Sequence, residues 1–125
     1  MAPGLIVAVD DEPSILDLYA EILQDEGYRV VSCAKADAVS CVRREQPDVV
    51  LLDVWPLTPV ADWATYQALV EDPTTARIPV ILCTTIDPTT IQLPAELHAS
   101  PVAILPKPFL LDDLLGAIET ALAFQ

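Results

Sequence analysis

The chain has 125 residues, 53% of them hydrophobic, and a mean hydropathy of +0.44, so one domain with a buried core is expected and disorder is excluded. Nineteen acids against 6 bases leave a formal net charge of −13, a field that repels phosphate backbones and anionic lipid and argues against nucleic-acid or membrane-surface binding. With 12 Pro and only 3 Gly, placed far apart at Gly4, Gly27 and Gly116, phosphate loops that depend on glycine are excluded as well.

Leu5 to Val9 is a continuous apolar run with β-branched members that ends at Asp10-Asp11, the pattern of a strand buried on both faces. Ile15, Leu18, Tyr19, Ile22 and Leu23 then recur with the spacing of an amphipathic helix, with Pro13 suited to its first turn and Gly27 to its C′ position. Tyr28 to Cys33 reads as a second strand. Ala38, Val39 and Val42 mark a shorter helix ended by Pro47. Val49 to Leu52 is a third apolar strand, again ending in an aspartate, Asp53.

After an irregular, proline-rich stretch from Trp55 to Pro59, a helix is expected over about Asp62–Glu71, stopped by Asp72-Pro73. Pro79 to Cys83 is a fourth strand ending at Thr84-Thr85. Ile86 to Ala99 should hold a helix that Pro88 and Pro94 reduce to short pieces. Val102 to Leu105 is a fifth strand, followed by Pro106-Lys107-Pro108, and the last helix carries Leu111, Leu114, Leu115, Ile118 and Leu122 on one face. Strand and helix alternate without repeats or linkers. An α/β fold with a parallel sheet covered by helices on both faces follows.

Cys33, Cys41 and Cys83 are an odd number without paired spacing, set among apolar neighbours; buried free thiols in a reducing compartment are expected. The one histidine, His98, has no Cys or His beside it, which disfavours zinc. No apolar run reaches the roughly 18 residues of a membrane span, and Met1-Ala2-Pro3-Gly4 lacks the positive lead-in of a signal peptide. The expected setting is the cytoplasm.

In a parallel sheet the carboxyl ends of the strands share one edge, where ligands bind. Asp10, Asp11, Asp53, Thr84 and Lys107 all fall there. Singly, each aspartate could equally be a helix cap or the start of a loop. Together, three carboxylates repel one another unless a cation joins them, and a hard divalent ion, Mg²⁺ first, suits oxygen ligands. With a hydroxyl and a lysine added, these are the parts needed to accept a phosphoryl group.

Asp10-Asp11-Glu12-Pro13, Leu51-Leu52-Asp53, Ile81 to Thr85 and Lys107-Pro108-Phe109, in this order along nearly the whole chain, resemble the receiver domain of bacterial two-component response regulators. The resemblance implies a single receiver domain over residues 1–125 with a flavodoxin-like fold, strand order 2-1-3-4-5. It implies that Asp53 takes the phosphoryl group from a histidine kinase or phosphotransfer protein. Asp11, Asp53 and the backbone carbonyl of Trp55 match its Mg²⁺ ligands, Asp10 a water-mediated one, Thr84 the switch hydroxyl and Lys107 the phosphate-pairing lysine. No enzymatic activity is implied beyond self-phosphorylation and dephosphorylation at Asp53.

The chain departs from the family in two places. After Asp53, the stretch Val54 to Asp62 contains no glycine, and Pro56 stiffens it. Trp55 either limits the access of water to an acyl phosphate or serves as a packing residue. Ile104 replaces the usual aromatic residue before the lysine, Pro94 interrupts the fourth helix, and Ala99-Ser100-Pro101 replaces the usual Gly-Ala. These changes mean an altered output surface or neutral drift. The leading expectation is a phosphorylation switch that changes affinity for a downstream protein partner or an output domain. Since the chain ends just after its last helix, it is either a stand-alone regulator or a receiver belonging to a longer protein. The alternative is a receiver-like binding module that no longer switches. A hydrolase with an aspartyl-phosphate intermediate ranks below both, because Trp55 offers no proton-transfer group.

Overall fold

A computed structural model describes residues 4–54, 59–84, 102–106 and 110–123, and shows a five-stranded parallel sheet flanked by helices. In chain order the elements are β1 (Leu5–Val9), α1 (Pro13–Asp25), β2 (Arg29–Cys33), α2 (Ala38–Glu45), β3 (Val49–Val54), α3 (Pro59–Glu71), β4 (Val80–Thr84), β5 (Val102–Pro106) and α4 (Leu111–Ala123). The strands lie in the order β2-β1-β3-β4-β5, as the resemblance implied. The irregular loop expected after the third strand falls mainly on residues 55–58, and the broken fourth helix on residues 85–101; both lie outside the described residues.

Side chains alternate across each strand, so the apolar runs feed two cores. Val7, Val9, Val50, Leu52, Val80 and Leu82 face α2 and α3, where Val42, Tyr66 and Leu69 cover them. Ile6, Ala8, Val49, Leu51, Ile81 and Cys83 face α1 and α4, beneath Tyr19, Leu23, Leu114 and Ile118. Burial on both faces is why these strands read as continuous apolar runs.

The element boundaries have local causes. Pro13 opens α1, where a missing N–H costs nothing. Gly27 follows its end at φ +93°, a conformation that a side chain would strain. Helix α3 starts at Pro59, before the expected Asp62, again with proline in the first position. Strand β3 runs on to Val54, so Asp53 lies within the sheet and not just past it. Helix α2 ends at Gln46 in the left-handed region, and the Gln46 amide donates to the carbonyls of Arg43 and Thr74, which ties the α2 end to the turn after α3.

Three sequence expectations are corrected. Leu18 is 50% exposed and not part of the buried stripe. It sits about 100° around the helix from Tyr19, on the side away from Leu23, and Leu16 takes part in the packing instead. Leu111, at the first position of α4, is 44% exposed; burial begins with Leu114 one turn later. Finally, Cys33 and Cys41 are joined by a disulfide, with Cα atoms 6.7 Å apart, while Cys83 is buried elsewhere in the sheet. The end of β2 and the middle of α2 pack against the same core, which brings the two residues together.

Two expectations for stability follow. Closing a chain segment of 8 residues' separation contributes on the order of 2–3 kcal/mol through the unfolded state. Alkylation of the oxidised protein in denaturant should therefore label Cys83 alone, and all three cysteines only after reduction; three labels without reductant would contradict the bond. Two residues beyond Cys41, Arg43 on α2 pairs with Asp72 after α3, and the Thr74 side chain and N–H bond to the same carboxylate. These bonds, that of Arg43 first, hold the Asp72 carboxyl down to about 2 from 3.8. A depressed carboxylate adds stability that is fully present above its unfolded value and is lost as pH falls through its folded one. Asp72→Asn should thus lower the urea midpoint at neutral pH, and the difference from wild type should shrink as pH falls from about 3.8 toward 2.

Candidate functional site

The carboxyl ends of β1 and β3 place two aspartates side by side. Val9 pairs with Leu52, so Asp10 and Asp53 follow on adjacent strands, and each is 1% exposed. The backbone N–H of Asp10 donates to the Cys33 carbonyl at 3.1 Å and extends the ladder to β2. Its side-chain Oδ1 accepts the N–H of Asp11 at 2.7 Å and that of Glu12 at 3.4 Å, a turn that leads the chain into α1. Glu12, the N-cap of α1, accepts the N–H groups of Ile15 and Leu16 through its carbonyl.

Asp53 pairs with Cys83 across the β3–β4 ladder, and its Oδ1 accepts the hydroxyl of Tyr19 at 3.2 Å. Burial above all, then Cys83 and Asp53 nearby, pushes the Tyr19 phenol pKa upward, so the hydroxyl stays a neutral donor. Asp11 takes another course. It is exposed, and its Oδ1 accepts the backbone N–H of Lys35 at 2.9 Å, capping the short turn Lys35–Asp37. The structure therefore brings Asp10 and Asp53 together but turns the Asp11 carboxylate toward the start of α2. Among the described residues no three His, Cys, Asp or Glu side chains form a group that could hold a metal ion.

Thr84 pairs through its backbone with Val54 on β3 and Pro106 on β5, which puts it on the same sheet edge as Asp53. Lys107 and Trp55 lie outside the described residues. Sequence reading missed Tyr19 as a site residue, although it is the one residue of the α1 apolar stripe with a polar tip. It also missed Lys35, whose contribution is a backbone N–H that no side-chain pattern reveals.

Asp10 and Asp53 thus present two buried carboxyl groups at the ends of neighbouring strands. Adjacent anionic oxygens invite a hard cation, and Mg²⁺ is commonly held by one or two carboxylates while it keeps several waters. The oxygen-only donor set of Asp10 and Asp53 fits that ion. Among the described residues no helix is long and apolar enough to cross a membrane.

Residues 6–119 match the response regulator receiver domain family. Protein PilH of Pseudomonas aeruginosa is 31% identical over 119 residues, covering 94% of this chain and 97% of PilH. Several other relatives are longer, and the chain spans 11% to 58% of their length. Among solved structures, the chemotaxis response regulator CheY4 of Vibrio cholerae superposes with a TM-score of 0.79 at 24% identity, covering 94% of this chain and 98% of CheY4. The receiver domain of the sensor histidine kinase PA1611 of Pseudomonas aeruginosa superposes with a TM-score of 0.76 at 24% identity, covering 96% of this chain and 98% of that one; that structure has a magnesium ion in its active-site cleft. The adjacent aspartates at the carboxyl ends of β1 and β3, the strand order and these matches agree: the chain belongs to the response regulator receiver domain family, with a receiver role in phosphorelay signalling.

Proposed function

We propose that Asp53 is the phosphoacceptor, taking its phosphoryl group from a histidine kinase or a phosphotransfer protein. The observation that carries this reading is the burial of Asp53 beside Asp10 at the carboxyl end of the middle strand. An Asp53 carboxylate oxygen attacks phosphorus in line. The bond from phosphorus to the donor imidazole nitrogen breaks, its electron pair stays on that nitrogen, and a mixed anhydride remains on Asp53.

Mg²⁺ held at Asp10 and Asp53 would neutralise the carboxylates and the oxygens of the incoming phosphoryl group. The backbone carbonyl of Trp55 would be a further ligand. Asp11, whose Oδ1 accepts the Lys35 N–H, would offer its second oxygen as a further ligand. Thr84, the last residue of β4, and Lys107, which follows Pro106 in the sequence, would supply a hydroxyl and a cation to the bound phosphoryl oxygens. Phosphorylation then changes the affinity of this face for a protein partner or an output domain. For this receiver domain we propose no substrate beyond the phosphodonor and water.

Incubation with Mg²⁺ and acetyl phosphate should add one phosphoryl group to the wild type, read by intact mass, and none to Asp53→Asn; equal modification of both would sink the proposal. A second measurement addresses the cation. Mg²⁺ should raise the melting temperature of the wild type by selective binding to the folded state, worth about 1 kcal/mol or more well above the dissociation constant. In Asp10→Asn the Mg²⁺-dependent gain should shrink, while stability without Mg²⁺ should rise because one of two adjoining carboxylates is gone.

A further inference from the structure

Tyr19 and Asp53 meet in the interior: the phenol is 4% exposed, the carboxylate 1%, and the hydroxyl donates to Oδ1 at 3.2 Å. The ring is fixed where α1 packs on the sheet, in the cluster that includes Leu23, Leu51, Ile81 and Cys83. A donor set in place this way needs no reorganisation to hold its acceptor.

A carboxylate shares its charge between two oxygens. Once one oxygen is bonded to phosphorus, the other becomes an acyl carbonyl, and the charge passes to the phosphoryl oxygens. A phenol donor binds an anionic carboxylate about twice as strongly as a neutral carbonyl. We infer that Tyr19 is a positioning residue, whose hydroxyl fixes Oδ1 as the oxygen left non-bridging and favours the unphosphorylated carboxylate of Asp53. The inference rests on the reading of Asp53 as phosphoacceptor. In hydrolysis, water attacks phosphorus and the Oδ2–P bond breaks with its electron pair returning to the carboxyl group. Inorganic phosphate leaves and a proton passes to solvent. The bond from Tyr19 strengthens as that charge returns, so the hydroxyl shortens the life of the phosphorylated state.

The test uses the full chain with Mg²⁺ and acetyl phosphate, followed by removal of the phosphodonor. Phospho-Asp53 should persist roughly three- to tenfold longer in Tyr19→Phe than in the wild type, since the ring is kept and only the hydroxyl is lost. A merely structural role would not move a second readout, the acyl carbonyl stretch of phospho-Asp53 resolved by isotope-edited infrared difference. That band should shift to higher frequency in Tyr19→Phe. An equal lifetime with an unshifted band overturns the inference and leaves Asp53 as the acceptor. Wild-type protein that gains no phosphoryl group on Asp53 overturns both. The wild-type band also decides without any variant: a frequency typical of a carbonyl without a donor overturns the inference.

Discussion

Everything at the functional edge depends on the cost of holding two carboxylates in an apolar sheet. Asp10 and Asp53 are each 1% exposed, yet the strands that deliver them are among the most apolar stretches of the chain. Taking a carboxylate out of water is costly unless partners replace the lost solvation. Hydrogen bonds offset part of this cost: backbone N–H groups on Asp10 and the Tyr19 hydroxyl on Asp53. A cation offsets more. The site is thus electrostatically strained in a way that suits binding a divalent ion and then an anionic phosphoryl group.

The rest of the acidic balance has another character. Asp17, Glu21, Asp25 and Glu26 on or beside α1, and Asp112, Asp113 and Glu119 on α4, are all exposed. Solvent and salt screen such groups, so they add little to stability. Their effect is a long-range field that repels polyanions and steers partners with a basic face. The net charge of −13 is therefore the sum of a small buried group with a chemical task and a larger solvated one.

The fold was legible in the sequence because continuous apolar runs and proline punctuation are local signals. Leu5–Val9 is recovered to the residue, and Gly27 and Pro47 mark real helix ends. Asp10 and Asp53 were legible for the same reason, as the first polar residues after such runs. What escaped depends on how separate segments meet. Cys33 and Cys41 look unrelated until β2 and α2 pack on one core. Leu18 satisfies a helical spacing, but the buried face is centred between Tyr19 and Leu23, and only packing fixes that rotation. Asp11 belongs to the resembling motif, while the direction of its carboxylate depends on where the turn at Lys35 presents its N–H.

Helix α1 consequently does more than cover the sheet. At its N-terminus the backbone N–H of Glu12 reaches Asp10 Oδ1, and two turns along Tyr19 reaches Asp53 Oδ1. Seven residues of helix separate these donors, a rise of roughly 10 Å, and both are fixed to one rigid rod. A shift of α1 along the sheet must therefore alter the hydrogen bonds of both carboxylates at once. The Tyr19 ring, packed with Leu23 in the cluster that seats the rod on the sheet, carries the hydroxyl that meets Asp53. Stability of this helix and the electrostatic state of the acceptor are then one problem, because the contact that seats the helix also supplies the donor.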